Sequence, residues 1–169
     1  VKNTGSKYAG REVVQVYVSA PCGHLPKPVQ VLVGFAKSKT LKPGESEEVT
    51  AVCPIRYAAS YCEEHSRWIL EEGTYIVRVG NSSRNTEVAA KIELDKLVVL
   101  EQLKKVIPSE NLKEISIDNI LPYRPPHEEE QLKNAKVIKL SSSSFKTRTV
   151  EYHPNAKLED KHKDHKITM

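Results

Sequence analysis

The side chains best suited to chemistry in this sequence are carboxylates, histidines and a serine run, and their spacing decides what each can do. Glu71 and Glu72 are adjacent, so on a strand or turn they diverge and cannot converge on one bond as an acid/base pair. Glu128, Glu129 and Glu130 stand in a proline-flanked acidic run, the pattern of a solvated face. His162, Asp164 and His165 form HKDH within a lysine-rich tail; a metal centre needs a further ordered ligand at fixed spacing, and the tail offers none. Ser141 to Ser144 lack the GxSxG context of an activated nucleophile. Asn81-Ser82-Ser83 is an N-x-S acceptor triplet, which matters only on a secretory route. These patterns lead to an expectation of no catalytic residue, no cofactor and no metal.

The elements that position these groups are bounded by composition. A chain of 169 residues is long enough for one domain with a packed core. Its apolar share of 38% and charged share of 28% fit a folded portion joined to a polar one rather than a uniform globule. A net charge of +4 with both signs interspersed gives no electrostatic case for nucleic acid. No apolar run approaches the roughly 18 residues that cross a bilayer, so no membrane partner is expected. Cys22, Cys53 and Cys62 are odd in number and lack zinc-ligand spacing. They read as free thiols, Cys53 a small core residue, and point to a reducing, cytoplasmic setting.

From Glu12 to Leu94 the chain reads strand, turn, strand. In EVVQVYVS, Val14, Val16 and Val18 fall on one face. The proline-rich loop APCGHLPKP cannot continue a ladder. Val29, Val31 and Val33 then alternate, with Phe35 on the same side. Lys42-Pro43-Gly44-Glu45 suits a type II turn, after which Val49, Ala51 and Cys53 oppose Glu48 and Thr50. A strand around Trp68 and Leu70, a Glu72-Gly73 turn, a strand with Tyr75, Val77 and Val79 on one face, and EVAAKIEL complete the series. Six short strands with turn signals between them predict an antiparallel sandwich over 1–94. Beyond it, the mixed spacing of Leu97, Val98, Leu100 and Leu103 predicts a short helix near 96–106. The rest of the 95–169 extension, with its prolines, serine run and charged end, reads as mostly irregular linker.

Taken together, VKNTG at 1–5, Gly10, EVVQVYVS at 12–19, Pro21, KPVQVLVGFAK at 27–37, LKPGESEEV at 41–49, ASY at 59–61, Trp68 with LEEGTY at 70–75 and VGNSS at 79–83 resemble one known module. It is the fibronectin-type-III-like module of family 3 glycoside hydrolases, the β-glucosidase-like enzymes. The resemblance implies an all-β, immunoglobulin-like sandwich whose first strands are missing, since VKNTG corresponds to the end of the second strand. It also implies a permuted parent with the barrel domain downstream, an incomplete sheet open to self-association, and catalytic carboxyl groups residing in other domains. On that resemblance His24 and Trp68 are the candidate inter-domain contacts, and the catalytic domains of the parent glycosidase are the expected partners. Stand-alone carbohydrate binding or scaffolding is the alternative. The family often has Asp after the Tyr of ASY, where this chain has Cys62.

Overall fold

The structure is a computed structural model that describes residues 1–104, 127–150 and the backbone of 166–167. In chain order, β1 (Val13–Ser19), β2 (Val31–Lys37), β3 (Cys53–Pro54), β4 (Ser60–Cys62), β5 (Arg67–Leu70), β6 (Gly73–Ser82), β7 (Asn85–Leu94) and β8 (Val98–Gln102) precede α1 (Glu128–Asn134), β9 (Lys136–Leu140), β10 (Arg148–Thr149) and β11 (Lys166–Ile167). One sheet has the order β2-β1-β6-β7-β9, a second the order β10-β8-β5-β4, and β11 pairs with β3. Pairing is antiparallel except where β9 joins β7 and β10 joins β8. The expected sandwich is the fold, and α1 is the single α-helix among the described residues. Its core holds Val16, Val18, Val33, Leu70, Tyr75, Val77, Ile92 and Leu94, all buried. Each buried Val, Leu or Ile contributes about 1.5–3 kcal/mol relative to an exposed one, so the period-2 pattern itself clamps the layers together.

Turn chemistry follows the sequence closely. Gly44 has φ +82, the left-handed conformation that the third residue of a type II turn requires and glycine adopts without strain. The Glu45 N–H donates to the Lys42 carbonyl at 2.9 Å and closes that turn. The strand expected around Val49, Ala51 and Cys53 is more weakly tied. Lys2 bridges Ser46, and β3 is the only part of it in a ladder.

Alternation breaks where strands carry an extra residue. Val16 and Tyr17 pair with Gly34 and Leu32, so Val33 is inserted, and the bulge turns both Val33 and Gly34 inward. Phe35 is consequently turned out and 67% exposed, while Val29 lies before the strand at 48%. The expectation that both share the face of Val33 is therefore corrected. Gly34 is required by contact rather than by backbone angle. A Cβ there would lie 2.6 Å from both the Cys53 sulfur and the Val52 carbonyl oxygen. A second shift pairs Val77 with Ala90 and Arg78 with Val88, which takes Val88 off the face of Ala90.

The helix expected near 96–106 is instead β8, a correction with a plain cause. A short apolar run such as Val98-Val99-Leu100 has no period that separates helix from strand, and pairing with β5 settles it. The sheets thus continue past residue 94. Residues 136–140 extend the β7 edge in parallel, and Ile138, Leu140 and Phe145 pack against the core. Ser142 donates its N–H to the Asp95 carboxylate at 2.7 Å. The N–H of Ser142, against a smaller desolvation effect, holds the Asp95 carboxyl below its usual range. The serine run is thereby a capped turn. Glu128, read from sequence as solvated, accepts from the Arg78 guanidinium, whose side chain is 2% exposed. The Arg78 Nε also donates to Ser19 Oγ at 3.1 Å.

Two outcomes follow from this packing. Glu128→Ala strands a buried guanidinium and lowers unfolding stability in urea by about 3–5 kcal/mol, whereas Arg78→Met combined with Glu128→Leu recovers most of the loss. Gly34→Ala overpacks the contact with Val52 and Cys53 and costs about 1–3 kcal/mol, read as a lowered thermal midpoint.

Candidate functional site

The loop between β1 and β2 is the segment whose shape needs the most explanation, because three prolines leave it few backbone partners of its own. Glu71, at the turn from β5 to β6, supplies them. Its carboxylate is 3% exposed and lies 2.6 Å from the Lys27 ammonium, itself 3% exposed. The His24 N–H also donates to it. Gly23 is tight against the same group, since a Cβ there would meet Glu71 Oε1 at 2.5 Å. The Tyr75 hydroxyl donates to the Glu71 carbonyl at 2.8 Å, so the core strand, the turn and the loop are joined at one residue.

Burial by itself would raise the Glu71 carboxyl. The Lys27 hydrogen bond, the His24 N–H, the Lys27 charge and the Leu25 N–H outweigh it and hold the group below the usual carboxylate range. Desolvation, with the nearby Glu71 charge, pushes the Tyr75 phenol far up despite its hydrogen bond. Both groups therefore keep one protonation state near neutrality, Glu71 ionised and Tyr75 neutral. That is an anchoring role, since an acid/base catalyst needs a pKa near working pH.

The anchored loop faces the β4–β5 hairpin across a cleft of about 790 Å³ whose walls include His24, Leu25, Tyr61, His65 and Arg67. His24 is exposed on this wall. Cys62, at the position where Asp is common, is buried, and its sulfur lies 3.4 Å from His65 Nδ1. All three cysteines are unbridged, and Cys53 is in the core, where desolvation raises its thiol. Trp68 does not line the cleft. It stands 36% exposed against Tyr61, which is 39% exposed, with ring centroids 5.4 Å apart and planes at 52°. The structure therefore separates the two candidate contact residues.

Of the carboxylates weighed in the sequence, Glu71 and Glu128 are taken by ion pairs in the fold, and Glu72, Glu129 and Glu130 are exposed. Sequence reasoning missed Glu71 and Lys27 as partners. The one available signal was the position of Glu71 beside a glycine turn that must meet the proline loop. His162, Asp164 and His165 lie outside the described residues. Among the described residues no group of three or more His, Cys, Asp or Glu is placed to hold a metal, and no helix is long and apolar enough to cross a membrane.

This geometry defines a fibronectin-type-III-like sandwich with an appended strap, and comparison with known proteins agrees. Residues 12–83 match the family model described as fibronectin type III-like domain. The chain is 39% identical over 134 residues to β-glucosidase A of Butyrivibrio fibrisolvens, covering 76% of this chain and 16% of that protein. It is 43% identical over 97 residues to a β-glucosidase of Kluyveromyces marxianus, covering 57% and 11%. Among solved structures, a β-glucosidase from Paenibacillus barengoltzii superposes with TM-score 0.58 at 44% identity, over 62% of this chain and 12% of that one. A β-glucosidase from Thermotoga neapolitana in complex with α-D-glucose gives 0.52 at 42%, over 59% and 13%. The chain carries a fibronectin-type-III-like domain homologous to one segment of family 3 β-glucosidases. It spans only a small part, 16% and 11%, of the length of the two curated relatives.

The lowered Glu71 carboxyl sets a pH dependence. A depressed folded pKa contributes stability that is present above the unfolded value, about 4.3, and lost as pH falls through the folded value. Glu71→Gln, which leaves the Lys27 charge buried and unpaired, is expected to cost about 3 kcal/mol at pH 7. The gap between the two proteins should close during acid titration below the ordinary carboxylate range, followed by circular dichroism.

Proposed function

We propose that this chain is a non-catalytic bracing module of a β-glucosidase-like family 3 glycoside hydrolase, and that the longer polypeptide hydrolyses terminal β-glycosides. The observation that carries the reading is the partial coverage of β-glucosidases by a well-packed sandwich, 16% and 11% of the two relatives. The carboxylates of Glu71, buried, and Glu128, partly buried, support it, since both are committed to ion pairs that hold the fold. The rigid loop carrying His24 is the surface that meets the catalytic domains. Catalysis across a domain interface is sensitive to displacements of about an ångström, so a brace acts on rate without touching substrate. The Butyrivibrio match covers 76% of the chain, more than residues 1–104 supply. The homology therefore continues into the extension beyond the sandwich.

Glu47 and Val1 exchange backbone hydrogen bonds at 2.8 Å, but residues 48–52 lie in no ladder among the described residues. An unpaired extended edge pairs readily with a second chain, so the isolated polypeptide completes its sheet with another copy. Light scattering that finds only a stable monomer would overturn this part.

The bracing role is tested in the longer polypeptide. Replacing residues 22–27 with a glycine-serine loop should lower kcat about 100-fold, while this chain alone leaves p-nitrophenyl β-glucoside untouched. Turnover by the chain alone, abolished by changing one of its own acidic side chains, would sink the proposal.

A further inference from the structure

The cleft between the β1–β2 loop and the β4–β5 hairpin holds two groups that the rest of the fold leaves unanswered. The first is Arg67, half-buried on the cleft wall. Its Nε is buried without a hydrogen-bond partner, and its guanidinium forms no ion pair among the described residues. A buried donor left in this state bears the full cost of its lost hydration, so it calls for an acceptor delivered from the cleft. The other charges on these walls supply none. Lys27 is committed to Glu71, while Glu63 and Glu64 are exposed at the hairpin tip, with Glu64 3.8 Å from His65 Nδ1. The second group is the edge of β4. This strand ends the order β10-β8-β5-β4, so every other residue of Ser60–Cys62 turns its N–H and C=O away from β5. Among the described residues those groups have no backbone partner, and Ser60, Tyr61 and Cys62 all line the cleft.

We propose that the cleft receives an extended segment of the longer polypeptide, added as a strand beside β4 and carrying one carboxylate that pairs with Arg67. Strand addition to a free edge takes its affinity from main-chain hydrogen bonds and its specificity from side chains that enter the neighbouring groove. Cys62 pairs with Arg67 across β4 and β5, so both project from one side of the sheet. Two inter-strand spacings, about 10 Å, separate Arg67 from a strand added beside Cys62, a gap that an arginine and a glutamate side chain span together. Residues two positions before and after that acid share its face, and they meet the apolar part of the wall at Leu25, Val31 and Ile69. A small anion would answer Arg67 and leave the β4 edge unpaired, whereas an acidic peptide answers both. The inference rests on the reading that the His24 loop, which forms the facing wall, meets the other domains, and it names the chemistry of the segment that those domains present.

The probe is an acetylated, amidated peptide with the order valine, threonine, glutamate, threonine, valine, compared with its glutamine counterpart in calorimetric titrations of the 169-residue chain. The glutamate peptide should bind with a dissociation constant in the millimolar range and the glutamine peptide about tenfold more weakly. Backbone amides of Ser60–Cys62 should gain protection from deuterium exchange when the glutamate peptide is bound. Arg67→Gln should bind the two peptides equally. Cys62→Asp places an internal carboxylate opposite Arg67 and should likewise lose the preference for glutamate; a thermal midpoint no lower than that of the wild type shows that this loss is not unfolding. Equal binding of the two peptides by the wild-type chain overturns the proposal, as does no saturable binding or protection that falls only outside Ser60–Cys62. If the longer polypeptide binds the probe as tightly as this chain does, nothing of its own fills the cleft and the assigned occupant is wrong. A fall in kcat on replacing residues 22–27, found together with equal binding of the two peptides, would leave the brace standing and remove this site alone.

Discussion

Val77 and Arg78 are neighbours on the central strand β6, and they are exposed to 0% and 2%. Adjacent strand residues point to opposite faces, so β6 must be covered on both sides, once by hydrocarbon and once by something that can neutralise a guanidinium. The first requirement is met by the facing layer and is the ordinary condition for a sandwich. The second is unusual, because a buried unpaired charge costs several kcal/mol. Glu128, fifty residues further on, answers it, and the strap from His127 to Val150 is thereby a structural part of the domain rather than a trailing linker.

Two buried ion pairs therefore organise the molecule beyond its apolar core. Arg78 with Glu128 fastens the strap across one face, and Glu71 with Lys27 fastens the proline loop at one end. Each joins segments far apart in the chain, and in each the carboxylate comes from the less regular partner or its turn. Neither pair is arranged for proton transfer. A carboxylate committed to a fixed ammonium or guanidinium acts as a strut of the fold.

The strap also treats the sheet edge. Without β9 the ten-residue strand β7 would present a long unpaired edge, the geometry that invites association. β9 is short and carries Lys136 and Lys139, both exposed, so the edge that remains is a poor template. The Gln131 side-chain oxygen accepts the Val88 N–H at 2.9 Å and satisfies one further donor where the ladder shifts register. Residues 48–52, which lead into β3, lie in no comparable ladder among the described residues.

Strands and turns were legible in the sequence because they are local. Alternation in Val14 to Val18 and Tyr75 to Val79, and the Pro43-Gly44 turn, depend on dihedral preferences and on the side-chain period, which neighbours a few residues apart already express. The bulges at Val33 and Ala89, the strand nature of Val98–Gln102, the ion pairing of Glu71 and Glu128, and the meeting of Trp68 with Tyr61 were decided only by tertiary structure. Each depends on which residue of a distant strand or loop lies opposite. A register shift of one residue exchanges the two faces, and a carboxylate is surface or strut according to whether a remote Lys or Arg is delivered to it.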